Sequence, residues 1–283
     1  MKLIGIDLDG TLLNSNSEIS KENVDALKSI INKKDYFVFI CSGRPAFNIK
    51  GLLDEYGLNL PIVGTNGALG YDGDKVIFEY YFSHNTVLKI YDAVKDYPFL
   101  IYNKSKRFGQ KKHLQQLEEL FKLSEKFLTK DELKSFENYK KEILVKGFET
   151  YEDFYEIIDN EDFHVFKFFM YMPIPEIKKD IQKKLANSKG IYCTESERTN
   201  IEIVPENVNK GIVFKHLEEY LGLDKSIRIA IGDSLNDLEM FKMANYGFAM
   251  KNSYDHIKAL ASHIVSSNDE HGVAEAIEII KGL

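Results

Sequence analysis

The chain begins with MKLIGIDLDGTLLN, in which an apolar run ends in two aspartates, Asp7 and Asp9. After a polar loop, residues 21–32 carry apolar side chains at helical spacing. A hairpin would need a second strand directly after the turn, so this order predicts the start of a βαβ unit. Ligands of such sheets bind at the carboxyl ends of the strands, where alternation puts both aspartates on one side. Two carboxylates so close repel each other unless a positive group lies between them.

The composition is that of an ordinary globular protein. Its 283 residues are 44% hydrophobic and 29% charged, enough for one large domain or two modest ones. No apolar run approaches the length that spans a bilayer, and the chain reads as a strand directly after Met1, so we expect a cytoplasmic protein without a membrane partner. The net charge of −7 argues against a nucleic-acid partner. Cys41 and Cys193 form neither a disulfide framework nor a metal motif.

The two ends of the chain share a rhythm of alternating strands and helices. Strands are predicted at 36–41, 61–63, 227–231, 248–250 and 263–266, and helices at 45–56, 210–221 and 270–281. The middle is richer in Lys, Glu, Phe and Tyr, with predicted helices at 84–94, 112–123 and 173–185 and strands at 165–172 and 200–204. This pattern predicts an α/β protein whose Rossmann-like parallel-sheet domain, residues 1–83 and 205–283, is interrupted by an α+β domain, residues 84–204.

Polar clusters follow three of the predicted core strands. They read Asp7-Leu8-Asp9-Gly10-Thr11, Cys41-Ser42-Gly43-Arg44-Pro45 and Gly232-Asp233-Ser234-Leu235-Asn236-Asp237. Parallel strand ends lie side by side, so four carboxylates, a serine and helix N-termini would meet at one edge. Carboxylates crowd chiefly around hard divalent cations, and Mg²⁺ binds one or two of them together with substrate phosphate. Since Lys210 also suits an anion, the sequence predicts Mg²⁺ and a phosphate at this edge.

These motifs, in this order, resemble those of the haloacid dehalogenase superfamily. The matching elements are Asp-x-Asp-Gly-Thr, Ser-Gly-Arg-Pro, a single lysine and Gly-Asp-Ser-x-Asn-Asp. The long insertion resembles the Cof-type branch with its C2B cap, as do the segments 65–68, 202–205 and 267–273. The resemblance covers essentially the whole chain. It implies that residues 1–83 and 205–283 form the catalytic core and that residues 84–204 form a cap that closes over the substrate and sets specificity.

The resemblance also implies catalytic roles. Asp7 would attack phosphorus and form an aspartyl-phosphate. Asp9 would protonate the leaving group and then activate water. Ser42 and Lys210 would hold the phosphoryl oxygens, and Lys210 would also restrain Asp7.

Metal and substrate residues follow from the same resemblance. Mg²⁺ would be bound by Asp7, the backbone carbonyl of Asp9, and Asp233. Asp237 would support the metal site without binding the metal directly. Further residues predicted at the phosphate or substrate site are Thr11, Gly43, Arg44, Asn66, Gly67, Asn236 and Asn252. Simpler interpretations stay open for some of them. Thr11 either supports its loop or orients Asp9, Arg44 fits a surface ion pair as well as a substrate contact, and Asn252 follows Lys251, where the family pattern has a glycine.

We therefore expect a Mg²⁺-dependent phosphatase of small phosphorylated metabolites, sugar phosphates or similar. A phosphomutase of the same superfamily, which would return the phosphoryl group from Asp7 to a sugar, is one alternative. A non-catalytic sensor of phosphorylated ligands is another, although a sensor would usually have lost Asp7 or Asp9. A dinucleotide-binding enzyme is disfavoured because the glycines of residues 64–70 have the wrong spacing and follow a later strand, and a P-loop motif is missing.

Overall fold

The computed structural model describes residues 1–186 and 188–283. The first elements are β1 (Lys2–Ile6), α1 (Lys21–Lys28), β2 (Tyr36–Cys41), α2 (Ala46–Glu55), β3 (Ile62–Gly64), β4 (Leu69–Asp72) and β5 (Lys75–Glu79). The middle contains α3 (His84–Val94), β6 (Leu100–Tyr102), β7 (Arg107–Gln110), α4 (His113–Ser124), α5 (Lys130–Lys146), β8 (Glu149–Tyr151), α6 (Phe154–Ile158), β9 (Lys167–Tyr171), α7 (Pro175–Leu185), β10 (Ile191–Thr194) and β11 (Asn200–Pro205). The last elements are α8 (Val213–Leu221), β12 (Ile227–Gly232), α9 (Leu238–Met243), β13 (Tyr246–Met250), α10 (Asp255–Lys258), β14 (His263–Val265) and α11 (Gly272–Gly282).

The chain forms two compact units, one of residues 1–79 and 207–283 and one of residues 80–206. The first unit is built on an eight-stranded sheet in the order β14-β13-β12-β1-β2-β3-β4-β5. The six strands from β14 to β3 are parallel, and β4 and β5 extend the sheet as an antiparallel hairpin. The strand order reverses at β1, which pairs with both β2 and β12. Such a switch point is where α/β sheets bind ligands.

Helices cover both faces of this sheet. Ile4 and Ile6 of β1 lie in a core cluster with residues of α1, α2 and α11, whereas Leu3 packs in a second cluster with residues of α8 and α9. This two-sided burial explains why β1 reads as a continuous apolar run. It confirms the predicted α/β class.

The second unit carries a six-stranded sheet in the order β10-β11-β9-β6-β7-β8. Alternate residues of β9 face opposite sides: Phe168 and Met170 pack in a cluster with α3 and α7, whereas Phe169 and Tyr171 meet aromatic rings of α5. The predicted aromatic strand is therefore a core strand. Among the described residues, no helix combines the length and the apolar character needed to cross a membrane.

Candidate active site

The polar clusters after β1, β2 and β12 lie at neighbouring strand ends. The register aligns Ile6 of β1 with Ile40 of β2 and Ile231 of β12. The Asp7 amide continues this pairing and donates to the carbonyl of Ile231 at 2.9 Å. The structure thus places side by side the strand ends that carry the three polar clusters.

Lys210 lies at the centre of the buried charges. Its side chain is 1% exposed, and its Nζ is 2.6 Å from Oδ1 of Asp7 and 2.6 Å from Oδ1 of Asp237. The Asn209 side chain accepts hydrogen bonds from the amides of Gly211 and Ile212, so helix α8 begins only at Val213, three residues later than predicted. The turn fixed by Asn209 places the lysine between the two carboxylates.

Asp237 is fully buried and organises the loop after β12. Its Oδ2 accepts hydrogen bonds from the amides of Asp233 and Ser234, both at 3.0 Å. A Cβ at Gly232 would lie 2.6 Å from that oxygen, so only glycine fits there. In the same loop, Asn236 accepts a hydrogen bond from the Ser234 hydroxyl at 2.9 Å.

Asp233 is held by the loop that follows β1. The Thr11 hydroxyl donates to Oδ1 of Asp233 at 2.8 Å, and Thr11 is fully buried. Of the two interpretations open for Thr11, the structure does not show the contact with Asp9, because the hydroxyl donates its hydrogen to Asp233. Gly10 has a φ of +74°, and a Cβ there would lie 2.5 Å from the Asp233 carboxylate. The loop that follows β1 thus packs against Asp233 too closely for any side chain at residue 10.

Three carboxylates crowd around this single lysine. Asp7, Asp233 and Asp237 each offer an oxygen within 4.8 Å of the others. Burial and the charge of Asp237 raise the pKa of Asp7, and Lys210 offsets this in part. Burial, and to a smaller extent the negative charge of Asp237, raise the pKa of Asp233 to about 7. Burial alone would lower the pKa of Lys210, but Asp237 and Asp7 outweigh it and raise that pKa. The cluster has an excess of negative charge, and its hard oxygen donors fit a divalent cation such as Mg²⁺.

The loop after β2 carries Ser42, Gly43 and Arg44. Ser42 is 1% exposed, and its hydroxyl accepts a hydrogen bond from the Arg44 amide at 3.1 Å. The Arg44 guanidinium pairs with both carboxylate oxygens of Asp9, from Nε at 2.8 Å and from Nη2 at 2.5 Å. Of the two interpretations open for Arg44, the structure shows the ion pair. Its partner is Asp9, the residue predicted to act as general acid and general base.

A strained turn, Thr65–Gly67, packs against this loop. The amide of Thr65 donates to the Arg44 carbonyl at 2.9 Å, and that of Asn66 to the Ser42 carbonyl at 3.0 Å. All three turn residues have positive φ, +55°, +60° and +104°, an unfavourable conformation for Thr65 in particular. A Cβ at Gly67 would lie 2.5 Å from the Asn209 carbonyl oxygen. Backbone strain of this kind concentrates at functional sites, and here it holds Asn66 beside Ser42.

Asn252 supports the loop that follows β1 through its side chain. Its Nδ2 donates to the Gly10 carbonyl at 2.8 Å, and its Oδ1 accepts from the Asn268 amide at 3.1 Å. Asn268 also donates from its side chain to the Leu13 carbonyl at 2.9 Å. Sequence reasoning missed Asn268 as an individual residue, and its sole signal was the family-like segment 267–273 that contains it.

Mg²⁺ is expected to raise the unfolding temperature, and to do so more at pH 8 than at pH 6. Since the pKa of Asp233 is about 7, the folded protein at pH 6 holds a proton that the metal must displace. The raised pKa also affects the free energy of unfolding. Between pH 3.8, the ordinary pKa of an aspartate, and about pH 7, the unfolded chain has lost the proton that the folded Asp233 still holds, so stability falls as the pH rises through this range. Thermal unfolding with Mg²⁺ and with chelator measures both effects. Two results would contradict a metal site at Asp233. One is a rise in unfolding temperature with Mg²⁺ that is equal at both pH values, and the other is a rise in Asp233→Asn as large as that of wild type.

Comparisons with known proteins agree with this geometry. A family model described as haloacid dehalogenase-like hydrolase matches residues 4–277. The Bacillus subtilis 5-amino-6-(5-phospho-D-ribitylamino)uracil phosphatase YwtE is 31% identical, with 98% of this chain and 97% of that protein covered. Phosphatase YwpJ of the same organism is 27% identical over 98% and 99%.

Solved structures of the same fold span the whole chain. A haloacid dehalogenase-like hydrolase from B. subtilis matches with a TM-score of 0.83 and 25% identity, covering 98% of this chain and 99% of that one. The subclass IIB sugar phosphatase BT4131 matches with a TM-score of 0.77 over 100% of both chains, at 18% identity. The second likeness supports the fold alone.

Proposed function

We propose that the chain, which belongs to the haloacid dehalogenase-like hydrolases and is a phosphatase, hydrolyses small phosphorylated metabolites, sugar phosphates or similar. In this proposal the reaction uses Mg²⁺ and passes through an aspartyl-phosphate on Asp7. The observation that carries this proposal is the buried Asp7 at the end of β1, bound to Lys210 at 2.6 Å and flanked by Asp233. A buried carboxylate with one oxygen fixed is oriented for attack, and burial strips it of solvating water.

Two displacements at phosphorus make up the proposed reaction. A carboxylate oxygen of Asp7 bonds to phosphorus, the ester P–O bond breaks, and the leaving alcohol takes a proton from Asp9. Water then attacks the phosphoryl group, Asp9 takes the proton of that water, and the bond from phosphorus to Asp7 breaks. Phosphate and the Asp7 carboxylate are regenerated.

Repulsion between the Asp7 carboxylate and the substrate phosphate explains why the reaction needs cationic groups. Two unit charges 4 Å apart interact by about 4 kcal/mol near a protein surface, and an anionic nucleophile meets a phosphate dianion. Lys210 lies close enough to Asp7 to offset part of this repulsion. Asp7, the backbone carbonyl of Asp9, and Asp233 would hold Mg²⁺, which supplies the remaining positive charge, with Asp237 fixing the Asp233 loop.

The phosphate site follows from the same loops. The Ser42 hydroxyl and the Lys210 ammonium would bind phosphoryl oxygens, and Gly43 and Asn236 lie in the loops that carry Ser42 and Asp233. Asn66 and Gly67, held in the strained turn, would border the substrate. Thr11 and Asn252 act indirectly, through Asp233 and the Gly10 carbonyl. We further propose that the inserted unit, residues 80–206, provides the substrate specificity expected of a cap.

A panel of phosphate esters tests this function. It contains several sugar phosphates, 5-amino-6-(5-phospho-D-ribitylamino)uracil because relatives are named for it, a nucleotide, flavin mononucleotide and an aryl phosphate. We expect phosphate release that requires Mg²⁺, stops with chelator and is fastest with a sugar or polyol phosphate. Release from no compound by the folded protein, or transfer of the phosphoryl group to a second hydroxyl of the sugar, would contradict the proposal. The latter result is the signature of a phosphomutase.

A further inference from the structure

The ion pair between Arg44 and Asp9 has a two-point geometry. Nε of Arg44 donates to one carboxylate oxygen of Asp9 and Nη2 to the other, at 2.8 and 2.5 Å. This is the fork arrangement that only arginine can make, and it fixes the plane of the carboxylate as well as its position. The side chains of Arg44 and Asp9 are 26% and 54% exposed, so a substrate and a water molecule can still reach Asp9.

Both partners stand on loops that are themselves anchored. The Arg44 amide is bonded to the Ser42 hydroxyl, and its carbonyl accepts from Thr65. Directly after Asp9, the Gly10 carbonyl accepts from Asn252. An ordinary surface pair joins two mobile side chains and contributes little. This pair instead joins two loops that further hydrogen bonds hold in place, so it can fix the position of a reacting group.

The two half-reactions make opposite demands on Asp9. To protonate the leaving alcohol, Asp9 must carry a proton on one oxygen. To activate water, it must accept a proton with both oxygens free of one. A guanidinium fork needs both oxygens as acceptors, and it leaves each of them a further lone pair that can accept a proton. The observed pairing uses both oxygens as acceptors, which is the state that Asp9 needs at the start of the second half-reaction.

We propose that Arg44 is a positioning residue for the second half-reaction, holding Asp9 as the base that activates water against the aspartyl-phosphate. This inference rests on the proposed function. In the step it serves, a water O–H bond breaks and the proton goes to Asp9. The water oxygen bonds to phosphorus, and the electron pair of the breaking P–O bond returns to the Asp7 carboxylate. Arg44 itself bonds to neither substrate nor phosphorus in this step.

Arg44→Lys tests the proposal because it keeps the charge and removes the fork. The substrate is an aryl phosphate, whose good leaving group needs little help from an acid. Rapid quench gives the rate of phenol release in the first turnover, and the decay of the labelled phosphoenzyme gives the rate of hydrolysis. We expect about a 10–100-fold slower decay with first-turnover release within about threefold of wild type. Both kcat and KM then fall, and kcat/KM changes little.

Arg228→Lys is the matched control. Arg228 makes the same two-point pair with Glu218, at 3.0 and 2.6 Å, near the opposite end of β12. Its replacement should leave both half-reactions unchanged. Arg44→Gln repeats the measurement if Arg44→Lys unfolds, with thermal unfolding reported for each variant.

A fall in kcat/KM and in first-turnover release, without slower phosphoenzyme decay, would overturn the proposal and place Arg44 on the substrate. Equal loss in both half-reactions would also overturn it. The failure of the proposed function looks different, because wild type itself would then release no phosphate and form no phosphoenzyme.

Discussion

Asp7→Asn is expected to lower phosphate release by about 10⁴-fold or more while leaving the fold intact. An amide is a very poor nucleophile toward phosphorus, yet it has the shape of the carboxylate and can still accept from Lys210. Since burial and Asp237 raise the pKa of Asp7, ionising this group opposes folding, and its removal should not lower the unfolding temperature at pH 8. Turnover of an aryl phosphate and thermal unfolding, measured together, separate chemistry from stability.

Asp74→Asn serves as the control for this variant. Asp74 lies in the same unit with a side chain 97% exposed, so its change should affect neither measurement. Turnover by Asp7→Asn within tenfold of wild type would mean that another group attacks phosphorus.

Lys210→Met is expected to destabilise the protein by about 3–5 kcal/mol and to abolish turnover. The change leaves Asp7 and Asp237 buried without the cation that binds both at 2.6 Å. Because Lys210 lowers the pKa of Asp7, its loss lets that pKa rise further, and the destabilisation should be greater at pH 8 than at pH 6. Denaturant unfolding at the two pH values gives the free energies.

A second change distinguishes lost pairing from lost packing. Lys210→Met combined with Asp237→Asn removes one of the stranded charges and should recover part of the stability. Lys251→Met, which removes an exposed pair with Glu270, should stay within about 0.5 kcal/mol of wild type. No recovery in the double variant would indicate that Lys210 matters through packing and not through charge.

The sequence predicted the core fold and the meeting of its polar clusters because both depend on local patterns. An apolar run buried on two faces, as in Leu3–Ile6, predicts a central parallel strand. Asp7 and Asp233 follow such strands directly, so strand pairing alone brings them together. In the sequence, only its place in the order of the motifs distinguishes Lys210 from the other lysines, and the structure places it between two buried carboxylates.

The rest depends on contacts that sequence spacing does not encode. Arg44 and Asp9 are 35 residues apart, and Thr11 and Asp233 are 222 apart, so their pairing follows from the geometry of the loops. In the inserted unit, strands of three residues such as β6 and β8 are too short for a periodic signal. Helix α5 lies outside the predicted helices, although its sequence carries a start signal, the capping box of Thr129 and Glu132.

The covalent step at Asp7 is tested most directly by trapping the phosphoenzyme. Wild type and Asp9→Asn, in which the hydrolytic step should be slow, are mixed with an aryl phosphate and Mg²⁺, quenched in acid and mapped by mass spectrometry. We expect a single phosphoryl group on the peptide that contains Asp7, at higher occupancy in Asp9→Asn, and none in Asp7→Asn. Turnover by wild type with no phosphoryl group on Asp7 in either protein, or with one on another residue, would contradict the mechanism.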